Sequence, residues 1–101
     1  MEYSISNASG SNIVSFRGKI TFSDHQAFKA LIVEMEKTPK TPIILNLSGV
    51  EYIDSAGLGM FLLLRDRLGS VVPSIAISQA NGVVRKVLTL SNFEKLFVMK
   101  D

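Results

Sequence analysis

Cysteine is absent from the sequence, which excludes a disulfide framework and any thiolate metal site. Histidine occurs once, at His25, so a histidine-built catalytic zinc site has too few ligands. No Gly-x-x-x-x-Gly-Lys run is present, which excludes a P-loop, and no cofactor is expected. Long apolar runs are missing as well. The longest, Met60 to Leu64, falls far short of the ~20 residues that cross a bilayer, so no direct membrane insertion is expected. The first residues, Met1-Glu2-Tyr3-Ser4, carry neither the basic start nor the apolar run of a signal peptide, and the expected location is cytoplasmic. Charge of one sign is scarce. The formal net charge is +2 and the longest basic run is Arg85-Lys86, too little to argue for nucleic acid.

What is present is an ordinary core. Hydrophobic residues make up 47% of the 101 positions, enough for one packed domain over residues 1–101. Tyr3–Ile5 and Ile13–Ile20 read as strands joined by the turn formers 7–12. In the second, Val14, Phe16, Gly18 and Ile20 share a face. Ser23 and Gln26 form an S-x-x-Q pattern, predicting a helix capped at Ser23, with Phe28, Leu31, Ile32 and Met35 toward the core. Pro39 and Pro42 end it. Ile43–Leu47 is nearly all apolar, which predicts a parallel strand covered on both faces. A second helix is predicted from about Ser55 to Leu68, closed by Gly69-Ser70. A strand over Ser74–Ser78, a helix over Asn81–Leu90 and a last strand over Leu96–Met99 follow. Repeated α and β elements after two strands give an α/β fold with right-handed crossovers.

The chemistry concentrates at the second strand–helix junction, Ile53-Asp54-Ser55-Ala56-Gly57-Leu58-Gly59. Asp54 and Ser55 are both good N-cap residues, and a purely structural cap accounts for them. Gly57 and Gly59, however, each cost the helix ~1 kcal/mol relative to alanine, which suggests close backbone approach to a strand or to a docked partner. A serine here also lies at the positive end of the helix dipole, where added phosphate is tolerated. Along the helix, Leu58, Phe61, Leu62 and Leu68 are expected to reach the core. Ala56, Met60, Leu63 and Arg67 then fall on the opposite side, either as an outward docking stripe or under a further layer of the same domain. Catalysis is not expected. A hydrolase elbow needs glycine two residues before the serine, where Ile53 stands, and His25 sits in the first turn of another helix.

Residues 44–59, Ile-Leu-Asn-Leu-Ser-Gly-Val-Glu-Tyr-Ile-Asp-Ser-Ala-Gly-Leu-Gly, closely resemble the signature of the STAS domain family, typified by bacterial anti-sigma factor antagonists. Gly18, the helix near Ser23 and Leu90-Ser91-Asn92-Phe93 fit the same pattern more loosely. The resemblance implies a single STAS-like α/β domain with a mixed, mostly parallel sheet and helices packed against it. It implies a non-enzymatic, cytoplasmic regulator of transcription that works by partner switching. In such proteins the serine after the aspartate is phosphorylated by a partner anti-sigma factor with serine-kinase activity, which abolishes binding, and a PP2C-type phosphatase restores it. Carried over, Ser55 is the phosphoacceptor, and Asp54, Ser55, Ala56, Gly57, Gly59, Met60, Leu63 and Arg67 are the expected partner-binding residues. The alternative is a STAS scaffold subunit of an anion transporter or lipid-transport ATPase. One departure stands out: many antagonists have an acidic residue where Thr21 follows Gly18-Lys19-Ile20.

Overall fold

The computed structural model describes residues 1–100; Asp101, the end of the expected domain, lies outside the described residues. The chain begins with a hairpin of β1 (Glu2–Ala8) and β2 (Ser11–Ile20). The loop expected over residues 7–12 shrinks to two residues, because Ser9 and Gly10 both adopt positive φ, 54° and 79°. That backbone matches the twist of the flanking strands, so pairing runs up to Ala8↔Ser11. Beyond the hairpin come α1 (His25–Lys37), β3 (Ile43–Ile53), α2 (Ser55–Leu68), β4 (Ile75–Ser78), α3 (Gly82–Leu90) and β5 (Val98–Lys100).

The sheet has five strands in sequence order, β1 antiparallel to β2 and all later neighbours parallel. Right-handed crossovers that always step the same way put every helix on one face. The burial pattern agrees. Val14, Leu45 and Ile77, neighbours across β2, β3 and β4, are fully buried and share one core with Val84 and Leu88 of α3. Ile13, Ser15, Ile44 and Asn46 point the other way and are half-buried. The apolar run in β3 is therefore covered on one face rather than on both.

Three aromatic rings tie the layers together. Phe16 of β2 stacks on Phe28 of α1 at 5.8 Å, and Phe61 of α2 meets both edge-on at 5.5 and 5.2 Å. Helix α1 presents Phe28, Leu31, Ile32 and Met35 to this core, as its spacing predicts. Its start differs. Thr21, not Ser23, caps the segment, which opens with a 3₁₀ turn over Phe22–Asp24. The Thr21 N–H donates to Asp24 Oδ2 at 2.8 Å, so Thr-x-x-Asp outcompetes Ser-x-x-Gln because a carboxylate is the stronger acceptor. At the other end of the chain, residues 93–95 form a second 3₁₀ turn. Phe97 is buried, which delays the last strand to Val98.

Candidate functional site

The carboxyl ends of β2 and β3 lie side by side, paired at Ile20↔Ile53, and each feeds directly into a helical turn. In open parallel sheets this edge is where sites are built. At the β3 end, Asp54 keeps extended backbone (φ −91°, ψ 179°) and its Oδ1 accepts the Gly57 N–H at 2.7 Å. Its own N–H donates to the Ile20 carbonyl at 3.2 Å. Its second oxygen, Oδ2, accepts the Phe22 N–H of the neighbouring turn at 3.2 Å. One carboxylate thus holds both the α2 terminus and the β2–α1 turn.

Ser55 is the first helical residue and is exposed. Gly57 is buried. A Cβ there would stand 2.7 Å from the Ile20 carbonyl oxygen and 2.8 Å from Ile53 Cγ2, so only glycine lets the helix approach β2 this closely. Gly59 differs: a Cβ there would meet nothing within 4 Å.

This close approach fixes the rotation of α2 and corrects the expected faces. The buried stripe is Gly57, Met60, Phe61, Leu64 and Leu68. Met60 is only 5% exposed and belongs to the core. Arg67 reaches Glu36 of α1 at 2.9 Å, so the Ala56–Met60–Leu63–Arg67 stripe runs along the α1 side, the covering layer being part of the same domain. Ala56 and Leu63 are half-buried. Leu58 and Leu62, expected in the core, are also half-buried and pack at its margin. The surface that continues outward from Ser55 is therefore Gly59, Leu62 and Asp66, at the i+4, i+7 and i+11 positions, flanked by Leu58.

Phe22 was not singled out by its sequence position. It is 72% exposed, stacks on half-buried His25 at 6.2 Å, and is carried on the turn that Asp54 holds. The available signal was Thr21-Phe22-Ser23-Asp24, a Thr-x-x-Asp cap that sets Phe22 in the first turn after β2. Burial pushes the Asp24 carboxyl up, but donation from the Thr21 N–H and pairing with the Met1 ammonium, 2.9 Å away, hold it below the usual aspartate value.

Among the described residues no three His, Asp or Glu side chains are grouped to hold a metal ion. Among them also, no helix is long and apolar enough to cross a membrane.

Comparison with known proteins adds to this geometry. The sequence profile described as "STAS domain" matches residues 4–101. A STAS-domain containing protein of Pseudomonas aeruginosa is 37% identical over 84 residues, which cover 83% of this chain and 82% of that protein. The crystal structure of an anti-sigma factor antagonist from Mycobacterium paratuberculosis is similar with a TM-score of 0.85 and 21% identity, covering 98% of this chain and 84% of that one. The STAS domain of a SulP transporter from Vibrio cholerae is similar with a TM-score of 0.72 and 19% identity, covering 95% of this chain and 77% of that one. At these identities the two structures speak for the fold.

Proposed function

Since the chain belongs to the STAS domain family, we propose that it acts as an anti-sigma factor antagonist whose binding is switched off by phosphorylation of Ser55. The observation that carries this reading is the α2 terminus. An exposed serine hydroxyl follows directly on a capping aspartate, at the strand edge where sites form, beside an outward surface of Gly59, Leu58 and Leu62. Unmodified, this surface docks on an anti-sigma factor that is also a serine kinase, in the cytoplasm, and frees the sigma factor.

Modification is a phosphoryl transfer from ATP held by the partner. Ser55 Oγ bonds to the γ-phosphorus, the bond to the ADP oxygen breaks, and the hydroxyl proton passes to solvent. The product adds about −1.5 to −2 charges at a helix N-terminus, where the dipole tolerates an anion, so the fold survives while the docking surface gains a strong negative charge. A PP2C-type phosphatase resets the switch by hydrolysis: water adds to phosphorus, Ser55 Oγ leaves with a proton, and inorganic phosphate is released. The chain itself needs no catalytic group for either step.

A second reading, a scaffold domain serving a transporter, draws on the likeness to the SulP domain. The two separate in one experiment. Wild type, Ser55→Ala and Ser55→Asp are used as baits in native lysate, with intact-mass analysis of the recovered protein. The switch reading expects a species about 80 Da heavier (one added phosphate, in wild type only) and a partner retained by wild type and Ser55→Ala but lost by Ser55→Asp. Equal recovery by all three baits, with no modified species, favours the scaffold.

A further inference from the structure

Asp54 serves two backbone donors on separate elements, and this has a consequence for how the switch works. Its Oδ1 takes the Gly57 N–H at 2.7 Å and its Oδ2 takes the Phe22 N–H at 3.2 Å. We infer that Asp54 is the positioning residue that couples Ser55 to Phe22, and that phosphate on Ser55 acts through Asp54 to release the Phe22 turn from the recognition surface. This rests on the reading of Ser55 as the phosphoacceptor and deepens it.

Phe22 is the most exposed aromatic ring among the described residues, 72% accessible, and large rings beside a docking surface are the usual anchors of an interface. Nothing in the core holds it. The turn is closed internally by Thr21 N–H to Asp24 Oδ2 at 2.8 Å and by Asp24 N–H to the Thr21 carbonyl at 2.9 Å. The Asp54 carboxylate meets the turn at the Phe22 N–H, while the Asp54 N–H holds Ile20, the last residue of β2, and not the turn itself. The turn can therefore uncouple from α2 without unfolding.

Phosphate on the adjacent residue places a dianion at the same helix terminus. Two anions compete for the same backbone donors and repel each other. The phosphate carries the larger charge and offers three acceptor oxygens against the two of Asp54, so it is the stronger competitor for the free N–H groups of the α2 terminus. The carboxylate yields, and the Phe22 N–H loses its acceptor. Added negative charge and withdrawal of an aromatic anchor then occur together, so docking of the anti-sigma factor is opposed in two ways by one event.

Asp54→Asn isolates the coupling. One acceptor oxygen remains, enough to cap α2 at Gly57, and the other position becomes an amide that donates and cannot accept from Phe22. Amide hydrogen exchange by NMR is measured on three proteins: unmodified, carrying phosphoserine inserted at position 55 during translation, and Asp54→Asn. Exchange at the Phe22 amide is expected to rise roughly three- to tenfold in both altered proteins, the size set by one lost partly exposed hydrogen bond. Core amides such as Val14 and Leu45 stay at their unmodified rates, and Gly57 stays protected in Asp54→Asn. An unchanged Phe22 rate in either altered protein overturns the inference. Because the phosphoserine is installed without a kinase, this result is independent of whether Ser55 is modified in the cell. The lysate experiment can fail while the coupling stands, and the reverse.

Discussion

Two strand-to-helix junctions sit side by side at one edge of the sheet, and they use the same device differently. At the β2–α1 junction, Asp24 Oδ2 accepts from Thr21 within its own turn and Oδ1 pairs with the Met1 ammonium. At the β3–α2 junction, Asp54 accepts from Gly57 within its helix and from Phe22 across to the other junction. The Asp24 carboxylate ties its own turn to the start of the chain. The second junction depends on its neighbour, and it is the one that carries the exposed serine. A carboxylate that links the two junctions is a point where a change in charge at one can be felt at the other.

The sharpest way to break the second junction is Gly57→Ala. The added methyl has no room against the Ile20 carbonyl, so α2 must move off β2, and we expect a loss of about 1–3 kcal/mol or more by urea unfolding. Asp54→Ala comes next. It removes the helix cap at a cost of about 0.5–2 kcal/mol and frees the Phe22 N–H, whereas Asp54→Asn retains most of the stability. Gly59→Ala should go the other way, raising stability by up to ~1 kcal/mol, because the methyl meets only solvent and the helix gains propensity. If Gly59 belongs to the docking surface, that same variant binds its partner less well, and stability and binding part company.

The first junction is tested by acid. Asp24 titrates below its unfolded value, so its contribution is complete above the unfolded value of ~3.9 and is lost as pH falls through the lower folded value. Asp24→Asn should lower stability at neutral pH, where the carboxylate contributes in full, and flatten the fall of stability with pH below ~4, so that the difference from wild type shrinks in acid. A slope identical to wild type would mean that the Thr21–Asp24 cap contributes nothing.

Much of this was legible in the chain. The 3.6-residue spacing of Phe28, Leu31, Ile32 and Met35 and the Asp-Ser pair before the two glycines were sufficient to place α1, α2 and the candidate switch. What failed was rotation and contact between elements. Leu58 and Leu62 have the composition of core residues, and Met60 suits an outer stripe equally well. The deciding fact is that Gly57 touches Ile20, a long-range contact that spacing within one helix does not encode. The single-sided covering of β3 was hidden for a related reason. It follows from the order in which strands join the sheet, and Ile43–Leu47 reads the same whether one face or two are covered. Phe22 was missed because two overlapping caps, Thr-x-x-Asp and Ser-x-x-Gln, compete for the same turn.

The central claim is that the charge at Ser55 decides whether this surface is occupied. The most direct measurement is the affinity of the partner recovered with the Ser55→Ala bait for two forms of this protein: unmodified, and carrying phosphoserine at position 55. The account predicts tight binding of the unmodified form and a loss of at least tenfold on phosphorylation, about 1.4 kcal/mol or more. Equal affinity for the two forms would contradict it.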